Sequence, residues 1–130
     1  MEQPFRVAEV AHIQLNVHDI KKSVAFYQIF DPQAGETPDR VRVALGPQTR
    51  LILRHEPDLQ KGPGALNHFA VVLEGAKDVE TVLAYMRAHG AEPYDGPRAN
   101  ARGRTQFRVN DPDGNEIEVQ VAQAAPGTEG

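Results

Sequence analysis

Apolar and polar residues alternate in several short segments, and the order of these segments predicts the architecture. Residues 11–18 place apolar side chains at every second position and His12 on the polar side, which predicts a half-buried strand. A helix is predicted next, with Asp19 as its N-cap and Asp31-Pro32 after its end. Residues 40–55 then predict two strands joined by a hairpin at Gly46-Pro47.

The same order restarts after the polar connection Glu56–Gly64. Residues 67–74 predict a strand with His68 on its polar side. A helix over residues 77–89 is expected to end at Gly90, where glycine suits the C′ position. Residues 93–103 are expected to be mostly loop, with a short edge strand near 92–94, before a strand over 104–109 and a last strand after the turn Asp111-Pro112-Asp113-Gly114.

The repeated order predicts an α+β fold made of two β-α-β-β-β modules, at about residues 8–58 and 65–122. Neither module is long enough to bury its sheet alone, so one domain over residues 1–122 is the economical interpretation. The apolar strand faces should lie under the helices, which leaves the polar faces to line a curved mixed sheet around a cup. Residues 123–130 are expected to form a flexible tail.

Composition narrows the partners and the chemistry. The chain has 130 residues, of which 40% are hydrophobic and 25% charged, and a formal net charge of −4. Acidic balance disfavours nucleic acid and anionic membranes and favours a small-molecule ligand. Cysteine is absent, so disulfides, thiolate nucleophiles and cysteine-bound metals are excluded. No apolar run has the length of a signal peptide or membrane helix, so we expect a cytoplasmic protein.

Two histidines at matching points of the repeat are the strongest chemical feature. His12 and His68 each lie on the polar side of a module's first strand, and the last strand places Glu116 and Glu118 on its polar side. Two imidazoles and one carboxylate form the ligand set of Fe(II) sites, with Mn(II), Zn(II) and Ni(II) as alternatives. A single strand histidine is more often a surface residue, so the repeat carries this hypothesis. Periodicity does not choose between the two glutamates.

Further polar residues on or beside these strands are candidates for substrate binding. Arginine suits carboxylate and phosphate groups, although outer-strand arginines are often only solvated. The candidates are Gln14, Arg54, Tyr94, Arg104 and Gln106, and Arg42, Arg50 and Arg108 are expected on the same faces. Tyr27 and Tyr85 lie in predicted helices and are expected in the core.

Four motifs together resemble the vicinal oxygen chelate superfamily, which groups glyoxalases, bleomycin-resistance proteins and extradiol dioxygenases. They are His12-Ile13-Gln14-Leu15-Asn16-Val17-His18-Asp19-Ile20, Ser23-Val24-Ala25-Phe26-Tyr27, Leu66-Asn67-His68 and Asp111-Pro112-Asp113-Gly114-Asn115-Glu116-Ile117-Glu118. The resemblance implies a glyoxalase-like fold, a homodimer, and a divalent metal bound by His12, His68 and Glu118. It therefore selects Glu118 over Glu116.

The resemblance also orders the activities. Ile52 matches the position where glyoxalase I has a carboxylate that serves as catalytic base, which disfavours that isomerase chemistry. The absence of cysteine disfavours an organoarsenical substrate, and the lack of arginine after Glu118 disfavours fosfomycin modification. We therefore expect an Fe(II)-dependent dioxygenase or lyase. The alternatives are a metal-free, ligand-sequestering protein of the bleomycin-resistance type and a redox-neutral isomerase or epimerase.

Overall fold

A computed structural model describes residues 3–36, 41–60 and 66–122, apart from the side chain of Glu36. The chain divides into two compact units, Met1–Leu59 and Gln60–Gly130. The division falls inside the Glu56–Gly64 connection. The flexible tail expected at residues 123–130 lies outside the described residues.

The first unit contains one helix and a four-stranded mixed sheet among its described residues. The strands lie in the order β1-β4-β3-β2, with β1 parallel to β4 and the other neighbours antiparallel. The elements are β1 (His12–Val17), α1 (Ile20–Tyr27), β2 (Gly35–Glu36), β3 (Val41–Leu45) and β4 (Thr49–His55).

Local sequence explains where α1 begins and which side it buries. The Asp19 side chain accepts a hydrogen bond from the Lys22 amide at 3.1 Å, as an N-cap does, and this bond lowers the pKa of Asp19. Phe26 and Tyr27 of α1 are buried, and their rings meet edge to face at 5.0 Å. The sheet contributes the alternating buried residues Leu15, Val17, Val41, Val43, Leu51 and Leu53.

The second unit repeats the arrangement of the first. Its strands lie in the order β5-β8-β7-β6, with β5 parallel to β8 and the other neighbours antiparallel. The elements are β5 (His68–Leu73), α2 (Val79–Ala88), β6 (Tyr94–Ala99), β7 (Thr105–Asn110) and β8 (Glu116–Val121). Its buried hydrophobic residues are Val82, Leu83, Met86, Ala91, Phe107, Val109, Ile117, Val119 and Val121.

The turn before β8 fixes how that strand starts. Gly114 has a φ of 84°, and its amide donates to the Asp111 carbonyl at 3.0 Å. The buried Asp111 carboxylate accepts from the Asp113 and Asn115 amides at 2.9 and 2.8 Å. These bonds hold Asn115 in place, so the alternation of β8 starts with Glu116 on the polar side.

The expected α+β fold with two β-α-β-β-β modules is confirmed. The strands form two four-stranded mixed sheets, one in each unit, where the sequence predicted a single curved sheet. The α2 helix ends at Ala88 with His89 as its C-cap, and Gly90 follows at C′ as expected, with a φ of 83° and a bond from the Ala91 amide to the Met86 carbonyl at 2.9 Å.

Two local predictions were wrong. Residues 94–99 form β6, although they were expected to be mostly loop. The prediction missed this strand because it contains Gly96 and Pro97 and its register shifts between Tyr94 and Arg98. Tyr85 was expected in the core but is 41% exposed. It lies off the buried stripe of α2 and its ring lies 4.2 Å from that of His89.

No helix in the described part of the chain is long and apolar enough to cross a membrane.

Gly96 is required by a close backbone approach between β6 and β7. A Cβ there would clash with the Gln106 carbonyl oxygen and lie 3.2 Å from Phe107 Cα, at a φ of +152°. We expect Gly96→Ala to lower the free energy of unfolding by more than about 1 kcal/mol, measured by urea denaturation. Gly46→Ala is the control, because Gly46 has a φ of +87° but no atom within 4 Å of the added Cβ. Equal losses in the two variants would contradict the clash.

Candidate functional site

The parallel pairing of β5 and β8 brings a histidine and a glutamate together on the polar face of the second unit. In this register Ala70 is the Cα partner of Glu118, and His68 is the partner of Glu116. His68 Nε2 lies 3.9 Å from Glu118 Oε1, and the two side chains are 32% and 14% exposed. The half-buried pair is therefore diagonal across the two strands.

Glu116 has different partners although it lies directly opposite His68. Its Oε1 is 2.9 Å from the Tyr94 hydroxyl, which donates to it, and its Oε2 is 3.5 Å from Arg108 Nη1. These contacts draw the Glu116 carboxylate towards β6 and β7. Glu118 is consequently the carboxylate that faces His68.

Asn67 sets the tautomer of His68. Its side-chain oxygen lies 2.7 Å from His68 Nδ1. An amide oxygen only accepts hydrogen bonds, so Nδ1 carries the proton. In the neutral ring, Nε2 then keeps its lone pair on the side of Glu118, which is the state that binds a metal.

Two amide side chains orient the Glu118 carboxylate. Gln120 Nε2 donates to Oε2 at 2.7 Å, and Gln106 Nε2 donates to Oε1 at 3.5 Å. Each amide is oriented in turn, because Arg104 Nη1 donates to the Gln120 oxygen at 3.1 Å and Asn100 Nδ2 to the Gln106 oxygen at 3.0 Å. Donors at the amide oxygens leave the NH₂ groups directed at Glu118.

Arg108 joins the carboxylates of this face. Its guanidinium lies 3.5 Å from Asp95 Oδ2, 3.5 Å from Glu116 Oε2 and 4.0 Å from Glu118 Oε1, and its side chain is 23% exposed. One cation thus offsets the mutual repulsion of three acids in a partly desolvated place.

The Tyr94 hydroxyl contacts two side chains, those of Asn110 and Glu116. Its hydroxyl oxygen is 2.7 Å from Asn110 Oδ1 in addition to its bond with Glu116. Burial and the hydrogen bond to Glu116 raise the pKa of Tyr94 from 10.0 to about 12. The phenol therefore stays protonated at neutral pH and acts as a donor.

His68 and Glu118 supply a donor pair of the kind that binds a divalent ion. Bonds from imidazole nitrogen or carboxylate oxygen to such ions are about 2.0–2.2 Å, so neighbouring donors of one tetrahedral or octahedral ion lie roughly 3.0–3.5 Å apart. The observed separation is 3.9 Å. Among residues 3–36, 41–60 and 66–122, no group of three or more histidine or acidic side chains is arranged to hold a metal. The three-ligand site with His12 thus stays a prediction.

The first unit carries His12 and two of the substrate-binding candidates on one sheet face. His12 is exposed at the start of β1, opposite Arg50 of β4. Gln14 lies opposite Ile52, and Arg54 lies opposite Asn16, with both Gln14 and Arg54 exposed. Ile52 is 7% exposed, so the position that carries a carboxylate in glyoxalase I is apolar and buried here.

Sequence reasoning placed Tyr94, Arg104 and Gln106 near the last strand, and the structure brings all three into the network around Glu116 and Glu118. It assigned no role to Gln120, Asp95 or Asn100. Gln120 could have been found from its alternation with Glu118. The other two lie at opposite ends of β6, and no sequence pattern shows which strand they face.

The sequence profile of the Glyoxalase/Bleomycin resistance protein/Dioxygenase superfamily matches residues 9–119. A catechol-2,3-dioxygenase from Bacillus subtilis is 27% identical in an alignment of 117 residues that covers 85% of this chain. The chain spans only 40% of the length of that relative.

Solved structures show the same fold. A glyoxalase/dioxygenase from Nostoc punctiforme superposes with a TM-score of 0.75 at 19% identity, covering 95% of this chain and 97% of that one. A virulence protein from Salmonella typhimurium gives a TM-score of 0.66 at 22% identity, covering 92% and 100%. The expected glyoxalase-like fold is confirmed.

The raised pKa of Tyr94 predicts a late-titrating phenol. In an alkaline titration followed by phenolate absorbance, one tyrosine should ionise near pH 12, and Tyr94→Phe should remove that component. Glu116→Gln should lower this pKa while leaving it above 10.0, because burial is its largest cause.

The raised pKa of Tyr94 also makes the free energy of unfolding depend on pH. The pKa is higher in the folded state, so the stabilisation is present below pH 10.0 and is lost as the pH rises to about 12. Identical titrations of the wild type and Tyr94→Phe would contradict this assignment.

Proposed function

The chain belongs to the Glyoxalase/Bleomycin resistance protein/Dioxygenase superfamily, and we propose that it is a metal-dependent enzyme acting on a small molecule. The proposed ligands are His12, His68 and Glu118. Fe(II) is the favoured ion, with Mn(II), Zn(II) or Ni(II) as alternatives. The proposed reaction is an O₂-dependent cleavage or a lyase reaction.

The observation that carries the proposal is the prepared donor pair on the second unit. His68 Nε2 lies 3.9 Å from a carboxylate whose oxygens accept bonds from two oriented amides, and Asn67 contacts the other ring nitrogen at 2.7 Å. Fixed tautomers and oriented carboxylates are what metal ligands need from their surroundings. A solvated surface pair would not need Asn67 to orient the imidazole, nor Gln106 and Gln120 to orient the carboxylate.

A divalent ion bound there would supply Lewis acidity and, with a redox metal, a place for O₂ and substrate together. The other residues of this face have separate tasks. Gln106 and Gln120 hold the orientation of Glu118, and Arg108 limits the repulsion between Glu118 and Glu116. The Tyr94 hydroxyl donates a hydrogen bond to Glu116, which holds that second carboxylate away from His68.

Two observations favour oxidative cleavage or lyase chemistry over isomerisation. The curated relative with a sequence match is a catechol-2,3-dioxygenase, although this chain spans only 40% of its length. The buried Ile52 provides no carboxylate base at the position used by glyoxalase I. A redox-neutral isomerase or epimerase would need a base from elsewhere in the chain.

A metal-free, ligand-sequestering protein of the bleomycin-resistance type is the second candidate. Arg108 already lies 4.0 Å from Glu118, and the described residues contain no three-member ligand group. In this alternative His68 and Glu118 would only bind the ligand. The homodimer and the cytoplasmic location implied earlier remain proposals.

Metal binding separates the two candidates. We expect anaerobically purified wild-type protein to bind Fe(II) or Mn(II) in calorimetric titration. In His68→Ala and Glu118→Gln the affinity for the metal should fall by more than the roughly 10–100-fold that is typical when a residue hydrogen-bonded to a metal ligand is replaced. His89→Ala is the matched control, because His89 caps α2 and bonds to the Tyr85 carbonyl at 2.9 Å.

If the wild type and His68→Ala both bind neither ion, the enzyme proposal fails. Oxygen consumption with a panel of catechols and keto acids then distinguishes the reaction classes in the metal-loaded protein. Turnover without oxygen uptake would favour the redox-neutral alternative.

A substitution of Gln120 tests whether the amide that orients Glu118 contributes to metal affinity. Gln120→Leu removes the 2.7 Å donor to Glu118 while keeping a side chain of similar size, and metal affinity should fall about 10–100-fold. Gln48→Leu in the exposed β3–β4 turn is the control and should bind like the wild type. Unchanged metal affinity in Gln120→Leu, with an unchanged thermal transition, would show that the amide is only structural.

A further inference from the structure

Among its described residues, the polar face of the first unit's sheet carries three arginines and no strand carboxylate. Strand register places Arg42 of β3 opposite Ile52 of β4, and Ile52 lies two residues from both Arg50 and Arg54. Diagonal neighbours in a sheet are about 7–8 Å apart at Cα, within reach of arginine side chains. Arg42 is therefore within side-chain reach of both Arg50 and Arg54, which flank Ile52, a 7% exposed residue that forms an apolar floor.

The two modules differ at equivalent positions of this face. His12 pairs with Arg50 as His68 pairs with Glu116, so Ile52 corresponds to Glu118. Arg42 corresponds to Arg108 by the same register, since Arg42 pairs with Ile52 and Arg108 with Glu118.

This correspondence shows that Arg42 and Arg108 have neighbours of different charge. Arg108 is surrounded by Asp95, Glu116 and Glu118. Arg42 lies opposite Ile52 of β4, with Arg50 and Arg54 on either side of Ile52. These β4 positions correspond to residues 116, 118 and 120 of β8.

None of the three arginines pairs with a carboxylate among the residues that the structure describes. Within the described part of the chain, their guanidinium groups make one hydrogen bond, from Arg50 Nη1 to the Thr49 carbonyl at 3.3 Å. Arg42 and Arg54 are exposed, and Arg50 is half-buried. Like charges gathered on one face repel each other, and the chain as a whole has a net charge of −4. An external anion would relieve this repulsion.

We propose that Arg42, Arg50 and Arg54 bind an oxyanion, and that the substrate is a small molecule bearing a carboxylate or phosphate group. Guanidinium groups bind both through paired, charge-assisted hydrogen bonds. Arg50 is the Cα partner of His12, so the anion lies beside one proposed metal ligand. The assignment as substrate rests on the proposed function, whereas the anion site does not.

Anion binding is measured on metal-free protein, so that it is independent of the metal proposal. Inorganic phosphate and benzoate are titrated at low ionic strength and followed by amide chemical shifts. Arg42→Gln and Arg54→Gln should each weaken binding about tenfold or more, because each removes charged hydrogen bonds. Arg87→Gln is the control, since Arg87 lies on α2 and pairs with Glu92 at 3.4 Å. All variants should keep the wild-type circular dichroism spectrum.

The outcomes are distinct. Absence of saturable binding of either anion by the wild type, or equal binding by Arg42→Gln, Arg54→Gln and Arg87→Gln, would overturn the site. Tighter binding of phosphate than of benzoate points to a phosphorylated substrate, and the reverse order points to a carboxylate. If anions bind but no metal does, the anion site stands and the metal-dependent function fails.

Discussion

The parallel pairing of each module's first strand with its last strand is the constraint on which the rest depends. In both units this pairing places the polar residues of the last strand beside the histidine of the first. Because side chains alternate strictly along a strand, a shift of one residue would turn every one of them to the opposite face. The Asp111 carboxylate, which holds the turn before β8, thus determines which face Glu118 occupies.

On this common frame the modules have diverged in charge. The second unit places Glu116, Glu118 and Asp95 around Arg108, and two amides complete the shell of Glu118. The first unit has Arg50 and Ile52 at the positions of Glu116 and Glu118. The polar face of one unit therefore gathers carboxylates around a single arginine, and that of the other gathers arginines.

The polar network of the second unit also shows why it is specific. Glu116 and Glu118 are chemically identical and lie on the same side of β8, yet they have different partners. Tyr94 contacts the first, and His68, Gln106 and Gln120 contact the second, while Arg108 lies near both. Buried or half-buried carboxylates need such compensation, and the division of donors separates their roles.

The sequence by itself determined both helices, the repeat and the side of each strand on which His12, His68 and Glu118 lie, because these follow from local periodicity and turn chemistry; it missed the two-residue strand β2. It did not determine strand β6, since the register shift near Gly96 breaks the alternation. Only the tertiary structure decided that Glu118 approaches His68 while Glu116 turns to Tyr94. That choice depends on donors from β6 and β7, whose positions are set by interstrand register and not by spacing along the chain.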